Sequence, residues 1–170
     1  MSSDRGHERR RESGECMPRL LFGLTTTLLG ALIVVSLGTG ASNTVTFGVK
    51  AVLDARQEMP RQAVKVPWAR GVLSGTLSSG GATGKIAWRL TSTDLSGRAL
   101  EGHIHLGKLG KAGPVAITLC APCHSNMHGT THVTAKVVRV IRNGSAYVDL
   151  HTRKNPNGEI RGQIRLIQGS

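Results

Sequence analysis

The chain has 170 residues, enough for one domain and a targeting segment. Its formal charge is +12, but its lysine and arginine residues are scattered, and it has only two Trp, one Tyr and two Phe for stacking on bases. These features argue against a nucleic-acid-binding protein. The 22 glycines instead indicate many short strands joined by tight turns.

The N-terminal residues have the layout of an export signal. Five arginines precede an uncharged apolar run, residues 20–37, and small residues follow. This order is typical of a secretory signal, and the apolar run is almost long enough to span a bilayer. We therefore predict that residues 1–42 are a signal peptide or a membrane anchor with a cytoplasmic N-terminus. Residues 43–170 are then expected to be secreted or held in the cell envelope.

Residues 43–170 alternate between short apolar segments and turn signals. Apolar side chains at every second position predict strands, which we place at residues 43–54, 72–77, 85–90, 100–106, 114–119, 146–151 and 159–166. Residues 133–141 fit either a strand or a short helix. About eight short strands with regular turns predict an all-β, antiparallel, Greek-key-like sandwich or barrel of one domain.

Three of the predicted strands carry polar side chains along one face. Successive side chains of a strand point to opposite faces, so residues two apart share a face. His103 and His105 therefore point the same way, and His151 shares a face with Asp149 in a later strand. If the strands are neighbours, five polar side chains converge: His103, His105, His151, Glu159 and Arg161. Such a cluster could hold a metal ion, or it could be a surface hydrogen-bond network.

The segment CAPCHSNMHGTTH, residues 120–132, is the densest group of reactive side chains. Two cysteines in an exported domain predict a disulfide, Cys120–Cys123. An alternative is a copper or zinc site that joins these sulfurs to nearby histidines, namely His124, His128 and His132. The C-x-x-C-H spacing also matches c-type haem attachment, but a strand-rich chain lacks the helical cage that haem requires, so we do not expect haem.

Three stretches carry a family resemblance. LDARQEMP (53–60), GHIHLGKLGKAGPV (102–115) and AYVDLHTRKNPNGEIRGQI (146–164) are similar, in order and spacing, to the CHRD domain, a module first described in chordin. The resemblance extends over residues 45–168 and implies an all-β extracellular module. Asp149 departs from the pattern, because the family more often has a small or amide residue there. Growth-factor binding by chordin resides in other modules, so the resemblance does not imply that activity.

These observations predict an exported or anchored CHRD-domain protein without enzymatic activity. We expect a binding or structural module of the cell envelope, with no cofactor and with a protein or an anionic envelope polymer as partner. The alternative is a copper- or zinc-binding or redox protein that uses His103, His105 and His151, or the 120–132 segment. The HIH sequence is also similar to the copper-ligand strand of copper–zinc superoxide dismutase. Further ligands of that enzyme cannot be assigned here, so we do not predict its activity.

Overall fold

Strands dominate residues 43–167, the part of the chain that the computed structural model describes. The nine strands are β1 (Val45–Asp54), β2 (Arg70–Gly80), β3 (Thr83–Thr93), β4 (Ala99–Leu106), β5 (Val115–Cys120), β6 (Asn126–Thr134), β7 (Ala146–Thr152), β8 (Ile160–Gln163) and β9 (Arg165–Ile167). A single 3-10 turn, Ala55–Gln57, follows β1, and one helix, α1 (Ala135–Arg142), follows β6. The all-β prediction is confirmed.

All strand pairs are antiparallel and belong to one sheet, in the order β5-β4-β7-β8-β1-β2-β3-β6, with β9 added to β1. The two outermost strands, β5 and β6, are joined by residues 121–125 alone. Such a linker reaches about 20 Å, whereas eight flat strands span about 34 Å. The sheet therefore curls into a nearly closed barrel. Of the two predicted architectures the barrel is correct, and the sandwich of two separate sheets is wrong.

The barrel interior is filled by aliphatic side chains that alternate along the strands. Val49, Ala51 and Leu53 of β1 are fully buried, as are Leu73 and Leu77 of β2. The helix α1 adds three further apolar side chains to this core, Val137, Val138 and Ile141. Alternation in the sequence is thus sufficient to predict which side chains face inward.

Residues 120–141 differ most from expectation. The predicted loop is largely a strand, since β6 begins at Asn126 and pairs with β3 throughout its length. The ambiguous segment 133–141 divides at Thr134, whose hydroxyl accepts a hydrogen bond from the backbone N–H of Val137 and so caps α1. The strand and the helix predicted as alternatives for this segment are therefore both present, one after the other.

The predicted signal or anchor, residues 1–42, lies outside the described residues. Within residues 43–167, no helix is long and apolar enough to cross a membrane.

Candidate metal centre

The outer face of β4, β7 and β8 carries a polar cluster. The strands are neighbours, and their register places His103 opposite Asp149 and Glu101 opposite His151. Ile104 and Val148, which point the other way, lie in the barrel core. His103, His105 and Asp149 are nevertheless at least nine-tenths buried, so something other than the barrel must cover them.

Connecting segments cover this face. Residues 107–114 lie over it, because the ring of His105 bonds to the carbonyl of Gly113, 2.8 Å away, and the backbone N–H of Gly113 donates to the Tyr147 hydroxyl. Residues 153–159 cover the other side, where Nδ1 of His151 lies 2.9 Å from the carbonyl oxygen of Pro156. The predicted surface network is therefore a buried one.

Four side chains form what we name the histidine cluster: His103, His105, Asp149 and His151. Each brings one potential ligand atom to within 4.8 Å of those of the other three. Nε2 of His105 lies 3.1 Å from Oδ2 of Asp149, and Nε2 of His151 lies 3.2 Å from Oδ1. Nδ1 of His103 is 3.2 Å from Nε2 of His151. Ligand atoms around a tetrahedral zinc ion are about 3.3 Å apart. The three distances above are close to that value, and every other pair of ligand atoms lies within 4.8 Å.

The second nitrogen of each ring faces an acceptor outside the cluster. A carbonyl oxygen can only accept a hydrogen bond, so Nδ1 of His105 and Nδ1 of His151 must carry protons. In their neutral forms, both rings then direct the Nε2 lone pair into the cluster. Nε2 of His103 faces the Glu101 carboxylate at 3.5 Å. Histidines that bind metals are typically oriented in this way.

Burial and mutual contact shift the pKa values of these groups. Burial, together with the neighbouring His151, lowers the pKa of His103. Burial also lowers the pKa of His151, but the hydrogen bond to Asp149 outweighs it and raises that pKa to about 8. Burial alone would raise the pKa of Asp149, yet hydrogen bonds from His105 and His151 lower it. Asp149 is therefore an anion surrounded by imidazole rings.

Residues 49–164 match the family model of the CHRD domain. The chain belongs to the CHRD domain family. No curated protein and no solved structure was found to match it.

The sequence segments typical of the CHRD domain meet at this face. Gly158 has a φ of +120°, and a Cβ atom there would lie 2.5 Å from the carboxyl carbon of Glu58, so the residue must be glycine. The Asn155 side chain donates to the carbonyl of Val64 and accepts from its backbone N–H. The LDARQEMP and NPNGEIRGQ segments therefore pack on each other beside the histidine cluster.

Two further charged groups are buried near the cluster. The guanidinium of Arg161 stacks over the Tyr147 ring at 3.3 Å and donates to the carbonyls of Lys108 and Lys111. The Glu58 carboxyl is 1% exposed, and burial, reinforced by the charge of Asp149, raises its pKa to about 7. Arg161 was a predicted site residue. It lies opposite Asp149 in the register and holds the covering segment in place.

The structure separates Glu159 from the other predicted site residues. Its carboxylate accepts hydrogen bonds from Ser96, Thr152 and Asn155, not from the histidines. β8 begins at Ile160, so the alternation that suggested convergence does not reach residue 159. Asp149, which we did not include in the predicted site, lies at the centre. Its position two residues before His151 on the same face was the signal that could have identified it.

The 120–132 segment does not form a second centre. The predicted Cys120–Cys123 disulfide is confirmed, and its sulfurs are therefore not available as thiolate ligands or for haem attachment. His128 and His132 lie four residues apart on β6, about 13 Å along an extended strand, too far to share one ion. His124 lies outside the strands, between the disulfide and β6. The disulfide packs against Gly102, where a Cβ would lie 3.1 Å from the sulfur of Cys120.

Proposed function

We propose that this CHRD-domain protein binds a divalent transition metal, zinc or copper(II), through His103, His105, Asp149 and His151. One observation carries the proposal: four potential ligand atoms, on three buried residues and the partly buried His151, lie within 4.8 Å of one another.

In their protonated forms, His105 and His151 each donate from Nε2 to the Asp149 carboxylate. In their neutral forms, the Nε2 lone pairs of both rings face that carboxylate, which also only accepts. Buried acceptors without donors are costly. A cation at their centre would satisfy all of them together.

The donor set favours a borderline metal over a hard one. Imidazole nitrogen suits zinc and copper, whereas magnesium and calcium prefer oxygen ligands. Four protein ligands complete a tetrahedral shell, which is typical of structural or storage sites rather than catalytic ones. Such a shell supports binding rather than turnover.

We further propose that the domain acts outside the cytoplasm, secreted or in the cell envelope. The disulfide supports this location, since such bonds persist mainly in oxidising compartments. There the ion would fasten β4 to β7 beneath the covering segments. The protein is then a rigid binding module that a metal stabilises.

The proposal is tested on the full 170-residue chain, produced in an oxidising compartment. Elemental analysis should find about one zinc or copper ion per chain. After removal of the metal with a chelator, titration with zinc should restore one site. The double variant His103→Ala/His105→Ala should lose at least about 100-fold in zinc affinity, because two of four ligands are absent. Glu101→Gln changes only the group that faces Nε2 of His103 from outside the cluster, and it should lower the zinc affinity about tenfold.

The matched control is His128→Ala/His132→Ala, which also removes two histidines but from the exposed side of β6. It should bind zinc like the parent chain. Equal losses in both double variants, or no metal uptake by a parent chain that is folded by circular dichroism, would overturn the proposal.

A further inference from the structure

The charges of the domain are distributed unevenly between its interior and its surface. Residues 43–167 contain six carboxylates and 17 lysine or arginine residues. Half of the carboxylates are buried, namely Glu58, Asp149 and Glu159, whereas Arg161 is the one buried cation among those 17. The surface is therefore considerably more cationic than the composition suggests, and acidic partners should be attracted to it.

One face of the barrel contains no carboxylate. β2, β3 and β6 are adjacent, and none of their residues is Asp or Glu. Lys85, Arg89, His128 and His132 are exposed on their outward side, together with serine and threonine hydroxyls. We name this surface the cationic face. No carboxylate on these three strands neutralises its charge.

The strand register arranges the cationic face in rows that cross the strands. One row contains Ser74, Arg89 and His128, and another contains Ser78, Lys85 and His132. The rows are four residues apart along each strand, or about 13 Å. Each row therefore pairs a permanent cation with an imidazole on the neighbouring strand.

Between the two rows lies a row of small side chains, Thr76, Ala87 and Thr130. They form the floor of a shallow depression of about 520 Å³, whose wall is Arg89 and His128. A second depression, of about 390 Å³, adjoins Lys85 and His132. The row of small side chains therefore lies between two rows that each carry a cation and an imidazole, and we name this shallow strip of the surface the channel.

We propose that this channel binds a linear acidic polysaccharide laid across the strands. Lysine and arginine along its borders would contact carboxylate or sulfate groups, and the hydroxyls of Ser74, Thr76 and Ser78 would hydrogen-bond the sugar. The rigid sheet holds these groups in place before binding, which lowers the entropic cost of ordering them. This site lies on different strands from the histidine cluster and does not depend on a metal.

The observations favour a polysaccharide over other polyanions. Single-stranded nucleic acid is typically held by aromatic side chains that stack on bases. The outward positions of β2, β3 and β6 include no aromatic residue, since Trp88 points into the core. Membrane surfaces are bound by protruding apolar side chains beside the cations, whereas the floor of this channel is recessed and small.

The test measures binding of the full chain to heparin and to polygalacturonate by titration calorimetry at low salt. The double variant Lys85→Gln/Arg89→Gln should lose affinity roughly tenfold, since two exposed charge contacts disappear. Ala87→Phe keeps the charge but fills the channel, and it should also lose affinity. The matched control is Arg153→Gln/Lys154→Gln, two exposed cations in the β7–β8 connection, which should bind like the parent chain.

Equal losses in the two charge-reduced variants would show attraction by net charge alone and would overturn the proposed channel. So would full affinity in a folded Ala87→Phe variant. Tighter binding to a single-stranded oligonucleotide, or to phosphatidylglycerol vesicles, than to either polysaccharide would reassign the face to that partner. The histidine-cluster variant His103→Ala/His105→Ala should bind both polysaccharides normally, so failure of the metal proposal and of this one are distinguishable.

Discussion

Two outward faces of the same barrel start from similar sequence patterns and end in opposite environments. The β4–β7–β8 face and the cationic face of β2–β3–β6 both present polar side chains at alternate positions. The first is buried and the second is exposed. Alternation determines which way a side chain points, but it does not determine what lies above it.

The lengths of the connections explain the difference. β2 and β3 are joined by Gly81 and Ala82 alone, with Gly81 at a φ of +64°. So short a turn has no chain to spare for covering a face. On the other face, residues 107–114 connect β4 to β5 and residues 153–159 connect β7 to β8, and both connections fold back over the face. A connection that is long enough to fold over a polar face of the sheet therefore buries the polar side chains of that face.

The largest effect should come from comparing two arginines, one on each face. Arg161→Met removes the hydrogen bonds to the carbonyls of Lys108 and Lys111 and leaves these acceptors unpaired. We expect the free energy of unfolding to fall by about 3 kcal/mol. Arg89→Met, on the cationic face, should change it by less than about 0.5 kcal/mol. Urea denaturation measures the free energy of unfolding of both variants. Similar losses in the two variants would contradict the expected difference between the buried face and the exposed face.

A smaller effect, dependent on pH, is expected at Glu159. Burial opposes its ionisation, but hydrogen bonds from Ser96, Thr152 and Asn155 lower its pKa. Its ionised form therefore stabilises the fold above pH 4.5, and that contribution is lost as pH falls through the lowered pKa. Glu159→Gln should cost about 2 kcal/mol at pH 7, and the cost should shrink in acid. Denaturation at pH 7 and pH 3 measures this, and a cost that does not change with pH would contradict it.

An effect of the opposite sign should arise at Glu58. Burial raises its pKa from 4.5 to about 7, so the folded state holds the proton more tightly than the unfolded state. Stability therefore decreases as pH rises from about 4.5 to 7. Because a shift of this size corresponds to about 3 kcal/mol, Glu58→Gln should remove a decrease of up to that amount and stabilise the protein at pH 8 but not at pH 4. A variant less stable than the parent at pH 8 would show that Glu58 acts as a needed anion.

Much of the candidate site could be predicted from local pattern. His103 and His105 share a face because they are two residues apart, and His151 follows from the same rule. The disulfide followed from two cysteines in a domain that we expected to be exported. The family followed from three segments in their characteristic order. Each of these predictions depended only on residues close together in the sequence or on a sequence motif.

The positions of Asp149 and Glu58 in the site could not be predicted from local sequence patterns. Asp149 lies at the centre of the histidine cluster only because β4 and β7 pair in one particular register, with His103 opposite it. Glu58 lies in a connection without alternation and reaches the site through its contact with Gly158. Strand register and loop packing depend on contacts between residues distant in the chain, which periodicity does not encode.

The amino-acid order alone established strands with an apolar side and a polar side, two adjacent cysteines, and a cationic excess. Tertiary structure decided that one polar side is covered and one is open, that the sheet curls into a nearly closed barrel, and that half of the carboxylates of residues 43–167 are inside. The physical reason is range. The direction of a side chain is set by the backbone within two residues. Whether that side chain is buried depends on whether a segment distant in the sequence is long enough to cover its face of the barrel.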